Sequence, residues 1–489
     1  MLLAITFISI GVHGYHAGAD DAAIYVPGIK QVADPDLYPF GAEFFQSHAR
    51  LTIFPLLVGG SARLAHLPTD WVIFGVHIAG MFLLMLASWR LVSVCFDTGA
   101  ARWGGLLLLA AVLTIPVAGT ALAIADPYVT ARSLATPLTI LSVASFLSGH
   151  RWQAGMWWAF TALIHPQMSA YAAVFLVCLA ATERVSQACT VKSPAMVCFA
   201  AIPFLFELSP ASGPAREALI SRTYFFVSQW TWYEWAGVAA PLALLASFSL
   251  AQFRAARPAS WVLARALTPF GLMFTLFALT LTASPRLENY ARLQPMRALH
   301  LIYLVFFLLF GGLLGEYLLR TRIWRWLALF VPLAVGMYLV QRAAYPSSNH
   351  VDWPGAAPAN PWSAAFLWIR ANTPKTAVFA LDPGYMSLPG EDMHGFRALA
   401  ERSMLADAVK DSGAVSLFPG LAEEWKAQVQ SVQAWSRFQL ADFEKLAAKY
   451  PVTWFVMQAP GAEGMDCPYR NRAVAVCRLP SAREHRSLK

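Results

Sequence analysis

The chain has 489 residues, 57% of them hydrophobic and only 13% charged, with a mean hydropathy of +0.50. Soluble domains carry about 25% charged residues, so this composition excludes an ordinary soluble protein and fits a polytopic membrane protein. The net charge of +8 sits in one part: residues 1–342 hold 21 Lys+Arg against 14 Asp+Glu, and residues 343–489 hold 15 against 14. Membrane topology and anionic headgroups account for that excess, and no basic stripe points to nucleic acid.

Apolar windows of about 20 residues predict a polytopic α-helical fold of roughly eleven spans. They fall near 2–17, 71–96, 104–123, 134–149, 153–165, 168–182, 194–209, 236–253, 266–284, 298–318 and 326–342. The first is short. It lacks a basic leader and a small-residue cleavage site, so it reads as a retained span rather than a removed signal peptide.

A long loop, 15–70, follows, and it opens on Asp20-Asp21. Adjacent carboxylates beside a membrane repel each other and are costly to desolvate, so they call for a positive partner. They are candidates for a general base, or for a metal ligand plus a base. Ile24-Tyr25 and Asp34-Pro35-Asp36-Leu37-Tyr38-Pro39 come next, and Leu51 to Leu67 reads as a helix on the membrane surface.

The loop after the third span holds Asp126-Pro127-Tyr128-Val129-Thr130-Ala131-Arg132. Asp126 is a candidate metal ligand, and the planar fork of Arg132 suits a lipid phosphate. Ile164-His165-Pro166-Gln167 breaks the apolar stretch 153–182. Proline ends a helix, and a break at membrane depth borders a cavity, which makes His165 a candidate substrate contact. Further on come Arg216, Arg222, Arg286, Arg292 and Arg297, with Tyr290 and His48-Ala49-Arg50 counted in the same set. Within it, Arg286, Tyr290 and Arg292 are the leading candidates to neutralise a departing phosphate.

After the last span, 343–361 reads as a Pro-rich linker and 362–489 as a small soluble α/β domain. Expected helices cover 362–372, 397–410 and 421–449; expected strands cover 378–381, 453–458 and 473–479. Phe396-Arg397 to Arg402 and Asp407 read either as acceptor contacts or as a helix surface, with no catalytic role. Cys467 and Cys477 flank Asn471 in a hairpin and are the expected disulfide. Cys95, Cys178, Cys189 and Cys198 fall in spans or on the cytoplasmic side.

Loop charge sets the orientation. Loops 97–103, 150–153, 183–193, 254–265 and 319–325 carry ten basic residues in 41; the opposite loops carry nine in 105. The denser set is expected in the cytoplasm, with the N-terminus inside and Asp20, Asp21 and the C-terminal domain outside.

A short first span, an acidic pair directly after it, Tyr25, then Leu37-Tyr38-Pro39 in a long outer loop together resemble the C-type (GT-C) membrane glycosyltransferases. The whole layout is similar too, although only the first loop carries motif-level detail. The resemblance implies transfer of a sugar from a polyprenyl-phosphate or polyprenyl-diphosphate carrier to an extracytoplasmic glycan, lipid or protein. It implies Asp20 or Asp21 as base or metal ligand, membrane lipids as surroundings, and no nucleic-acid partner. Some enzymes of this layout use a divalent cation, Mg or Mn, and some use none; Asp20, Asp21 and Asp126 are the expected ligands. A transporter or flippase for a lipid-linked saccharide, or a non-catalytic assembly protein, are the alternatives. Glu207 is the partial exception to acidic residues clustering at the outer rims, where a transporter would place them midway along spans.

Overall fold

The computed structural model describes residues 1–187, 212–251 and 259–480. The expected span 194–209, with Glu207, Cys189 and Cys198, and the loop cations Lys192, Arg254 and Arg257 lie outside them. The chain is mostly helical and ends in a small sheet domain.

Helix α1 (Leu2–His13) is followed by three helices inside the first loop: α2 (Ala22–Ala33), α3 (Glu43–Ala49) and α4 (Phe54–Ala65). Then come α5 (Thr69–Cys95), α6 (Gly99–Ala111), α7 (Arg132–Leu147), α8 (Arg151–Ile164) and α9 (Pro166–Gln187). After α10 (Gly213–Ile220) follow α11 (Trp232–Ala251), α12 (Ala259–Thr282), α13 (Leu299–Leu313) and α14 (Ile323–Ala344). Among the described residues, five helical stretches are long and apolar enough to cross a membrane: Thr69–Cys95, Trp232–Leu250, Ala259–Thr282, Glu288–Leu319 and Ile323–Ala344. On α14 a stripe of Ile323, Leu327, Val331, Val335 and Leu339 is exposed at four-residue spacing. An outward apolar stripe of that length fits lipid rather than water.

The span expected at 104–123 is shorter than its apolar run. α6 stops at Ala111, and the chain folds back on itself, with Val117 N–H bonded to Leu122 O at 2.8 Å and Ala125 N–H to Leu113 O at 2.7 Å. Pro116 supplies no donor for a continuing helix. At Gly119 any Cβ would lie 2.6 Å from the Trp230 ring, so the turn tip needs glycine.

Small residues bring α6 and α13 together. A Cβ at Gly311 would meet Gly104 O at 2.5 Å, and one at Gly315 would meet Ala100 O at 2.2 Å. Close backbone approach over small residues is how membrane helices gain packing where hydrophobic driving force is weak.

The C-terminal domain holds α15 (Pro361–Asn372), β1 (Val378–Ala380), α16 (Phe396–Ala400), β2 (Ser403–Met404), α17 (Asp411–Leu417), α18 (Ala422–Val432), α19 (Leu440–Lys449), β3 (Trp454–Gln458), β4 (Asp466–Arg470) and β5 (Val474–Arg478). The sheet order is β2-β1-β3-β5-β4, with the first three strands parallel and the rest antiparallel. Cys467 on β4 is disulfide-bonded to Cys477 on β5.

Three expectations for this domain change. The helix expected at 397–410 is only one turn, because Glu401 turns left-handed (φ 54) and the chain then enters β2. The helix expected at 421–449 is two helices with a 3-10 turn, Trp435–Arg437, between them. The stretch 343–361 is no free linker. Tyr15 N–H bonds to His350 O at 3.0 Å, and Asp352 N–H to Tyr15 O at 2.8 Å.

Candidate functional site

Residues 14–21 lie between two distant segments. Gly14 (φ 78) ends α1, and a Cβ there would meet His350 O at 2.6 Å, so the chain needs glycine to pass the 350–352 segment. On the other side Gly395 N–H bonds to Gly18 O at 2.9 Å and Asp20 N–H to Met393 O at 2.8 Å. Asp20 is left-handed (φ 49), a conformation that non-glycine residues rarely adopt and that surrounding structure must hold.

This grip aims both carboxylates at cations. The Arg132 guanidinium, buried at the start of α7, donates to Asp21 Oδ2 at 3.0 Å and, through Nε, to Asp126 Oδ2 at 3.0 Å. Thr130 Oγ1 donates to the same Asp126 oxygen at 3.1 Å. The Tyr128 hydroxyl donates to Asp20 Oδ2 at 3.0 Å. Asp20, Asp21, Asp126 and Arg132, four of the residues singled out in the sequence, therefore form one cluster.

Lys410, from the C-terminal domain, completes it. Its ammonium bonds to Asp21 Oδ1 at 3.0 Å and also to Asp20 Oδ1. The loop carrying Lys410 is built for the purpose. Asp407 Oδ1 accepts the backbone N–H groups of Val409 and Lys410 at 2.7 and 2.5 Å. Arg397 clamps Asp411 through two Nη1 bonds of 2.8 and 3.0 Å, and Arg222 bonds Val409 O and Ser412 Oγ. Arg397 and Asp407 are therefore interior struts, not an exposed helix surface. Arg402 is buried too, bonded to Thr373 O at 2.6 Å.

The electrostatics differ along the cluster. Burial pushes the Asp21 carboxyl up, but Lys410, Arg132 and Arg297 together outweigh it and hold Asp21 well below the usual carboxylate range. Burial pushes Asp126 up despite Arg132. Asp20 is the more open of the pair, with 37% of its side chain exposed against 21% for Asp21.

Below the pair, α8 ends at Ile164 and α9 begins at Pro166, leaving His165 buried at the break. Arg132, His48 and Arg297 are its charge neighbours. The break is tied to the 293–294 turn: Gln167 Nε2 donates to Leu293 O at 3.0 Å and Tyr171 OH to Gln294 O at 2.8 Å. Gln294 is left-handed (φ 52), and from there the chain brings Arg297 within electrostatic reach of Asp21, with a buried Nε that has no bonding partner.

The leading arginines of that segment lie elsewhere. Arg286 is exposed, and Arg292 folds back onto Asn289, through Nε to its carbonyl at 2.6 Å. Tyr290 sits beside Arg292. Arg216 pairs with Glu288 at 2.7 Å. Arg292 lies in one 3-10 turn, Glu288–Leu293, and Arg297 in the next, Pro295–Ala298; left-handed Gln294 between the turns gives the two arginines different surroundings. In the sequence Arg297 belongs only to the wider arginine set, and no pattern marks Lys410.

The donor set does not suit a divalent ion as it stands. Asp21 and Asp126 are already matched to Arg132, and Asp20 and Asp21 to Lys410. Among the described residues no group of three or more His, Cys, Asp or Glu side chains is placed to hold a metal.

A cleft of about 370 Å³ opens beside residues 15–18, with Lys30, Trp71, Trp353 and Arg370 in its wall. Lys30 is buried between Asp70 and Glu401, at 2.8 Å from each, and Arg370 reaches the same two carboxylates. The cleft's cations are thus neutralised, and its exposed indoles are free to face a ligand.

Comparison with known proteins finds no family model that matches this chain and no matching curated protein.

Proposed function

We propose that this is a membrane glycosyltransferase of the GT-C type, with roughly eleven spans, the N-terminus in the cytoplasm and the acidic pair and C-terminal domain outside. The observation that carries the reading is the cluster itself. A carboxylate pair that directly follows the first apolar helix meets Arg132 and Lys410, with Arg297 in electrostatic reach of Asp21, and the neighbouring residues Tyr15, Ala17 and Gly18 line an open cleft.

In this reaction an acceptor hydroxyl attacks the anomeric carbon of a lipid-linked sugar. The new C–O bond forms as the bond to the phosphate oxygen breaks, and that oxygen leaves with the electron pair. Asp20 takes the hydroxyl proton. It is the more open carboxylate, bonded to one ammonium, Lys410, and one hydroxyl, Tyr128. Asp21 is a poor base because its cations hold it ionised; its task is to fix Arg132. Arg132 and Arg297 stabilise the departing phosphate in a site where water is scarce. One displacement inverts the anomeric configuration.

The test is turnover in proteoliposomes. Radiolabelled polyprenyl-phosphate hexoses and pentoses are supplied one at a time, with envelope extract as acceptor. One donor is expected to be consumed, and Asp20→Asn to lower the rate by at least about a hundredfold, the scale of losing a positioned general base. Consumption of no donor, or full activity in both Asp20→Asn and Asp21→Asn, overturns the reading.

A further inference from the structure

The C-terminal sheet carries a feature that the transfer reaction does not use. β1 pairs in parallel with β2 on one side and with β3 on the other. The chain therefore leaves β1 in one direction and later returns on its opposite flank. In open parallel sheets, ligands bind outside the carboxyl ends of the strands at such a switch point. A cavity of about 390 Å³ lies there, within the usual range for small-molecule sites, roughly 300–1,000 Å³. Asp382, just past β1, and Gln458, the last residue of β3, both line it. It shares no lining residue with the cleft beside residues 15–18.

The chemistry of the wall restricts the ligand. Among the described residues it contains no Lys, Arg or His; its charged groups are the carboxylates of Asp382 and Glu463. Helix N-termini at a switch point ordinarily hold phosphates, but here both are capped by their own side chains. Asn360 Oδ1 accepts the N–H groups of Trp362 and Ser363 at 2.8 and 3.3 Å at the start of α15. Gln439 and Asp442 cap each other's backbone N–H groups at the start of α19. A nucleotide or phosphate would meet two carboxylates and no free donor array.

What remains is a set of aromatic faces beside hydrogen-bonding groups. Half-buried Phe438 and the edge of buried Trp435, from the connection between α18 and α19, line the cavity together with Asp382 and Gln458. Asp382 keeps one oxygen for a ligand, since only Oδ1 is engaged, by Gly384 N–H at 2.7 Å. Ring faces that meet C–H groups, and carboxylate and amide groups that meet hydroxyls, suit a neutral sugar ring. One wall is also fixed in place. Gly461 (φ 96) lies on the disulfide, and a Cβ there would sit 3.3 Å from the Sγ atoms of both Cys467 and Cys477.

We infer that the C-terminal domain carries a binding site for a neutral saccharide at the β1–β3 switch point. Its affinity is independent of any sugar donor, so it is measured without one and stands or falls apart from the transferase reading.

The experiment uses the full chain in a detergent without a sugar headgroup. Maltotriose, cellotriose, mannotriose and chitotriose are titrated against tryptophan fluorescence and by calorimetry, with inorganic phosphate and UDP as anionic probes. At least one trisaccharide is expected to bind at one site per chain. Asp382→Asn with Glu463→Gln should weaken it at least about tenfold, the scale of one charge-assisted hydrogen bond. Phe438→Ala should weaken it as well, whereas Asp20→Asn should leave it unchanged. Both carboxylate substitutions keep the side-chain shape, and Asn at 382 keeps the oxygen that Gly384 uses, so a folding failure is not the expected outcome; a matched Tm checks this. Binding by no trisaccharide, tighter binding of phosphate or UDP, or undiminished binding in the carboxylate variants overturns the inference.

Discussion

Lys410 donates to Asp21 Oδ1 at 3.0 Å across 389 positions of sequence. The bond joins the last third of the chain to the loop after its first helix. It also determines which charges near the membrane are compensated, so it is the natural place to perturb the cluster.

Replacing Lys410 by Met leaves Asp20 and Asp21 side by side with Arg132 as their main close cation. Removing one partner of a buried pair costs about 3–5 kcal/mol, and the partial exposure of Asp20 brings the expectation down to about 2 kcal/mol. Thermal unfolding in detergent should show a lower Tm for Lys410→Met. Adding Asp21→Asn to that variant should recover part of the loss. A Tm equal to that of the parent protein would mean that the contact contributes nothing.

Arg132→Lys tests the geometry of the fork. A lysine keeps the charge but cannot serve Asp21 and Asp126 at once through separate nitrogens. Stability should fall by about 1–3 kcal/mol, and turnover should fall further than in a Thr130→Val control. Equal turnover in both variants would separate Arg132 from the reaction.

His16 should make the protein acid-sensitive. It is fully buried, stacked on Tyr345 at 3.7 Å between ring centroids, and neither ring nitrogen has a bonding partner. Burial, then His394, His350, Arg342 and His77, lower its pKa from 6.5 to about 3, and Asp352 at 4.0 Å does not restore it. The folded state thus binds fewer protons than the unfolded chain below pH 6.5. The stability it contributes is complete above that value and is lost as pH falls towards 3, by about 2 kcal/mol at pH 5. His16→Phe keeps the stack and removes the titration. Its Tm should drop less than that of the parent between pH 7 and pH 5; parallel curves would contradict the assignment.

Gly311→Ala places a methyl group 2.5 Å from the Gly104 carbonyl oxygen. Backbone cannot yield as a side chain can, so α6 and α13 must separate. The expected cost is about 1–3 kcal/mol, visible as a lower Tm, whereas Gly336→Ala, with nothing within 4 Å, should be neutral.

The cluster was legible in the sequence where a polar residue interrupts an apolar run. Asp20, Asp21, Asp126, Arg132 and His165 all sit at such edges, and the fold brings them to one place. Lys410 was not, because a lysine between Asp407 and Asp411 in a polar stretch looks solvated until the loop's packing is known. Arg297, of the wider arginine set, is the one in electrostatic reach of Asp21, for a different reason. Arg292 and Arg297 sit in successive 3-10 turns joined at left-handed Gln294, so five positions change the surroundings. The overlong span at 104–123 shows the limit of hydropathy: it records apolar composition, and the fold-back at Pro116 leaves composition untouched.

The order of synthesis gives Lys410 a final consequence. A ribosome completes Asp20 and Asp21 hundreds of residues before it makes the lysine that neutralises them. Until then Arg132 and the Tyr128 hydroxyl are the pair's only partners among the described residues of this cluster, and the second cation arrives with the C-terminal domain. A chain that stops before Lys410 lacks this second cation.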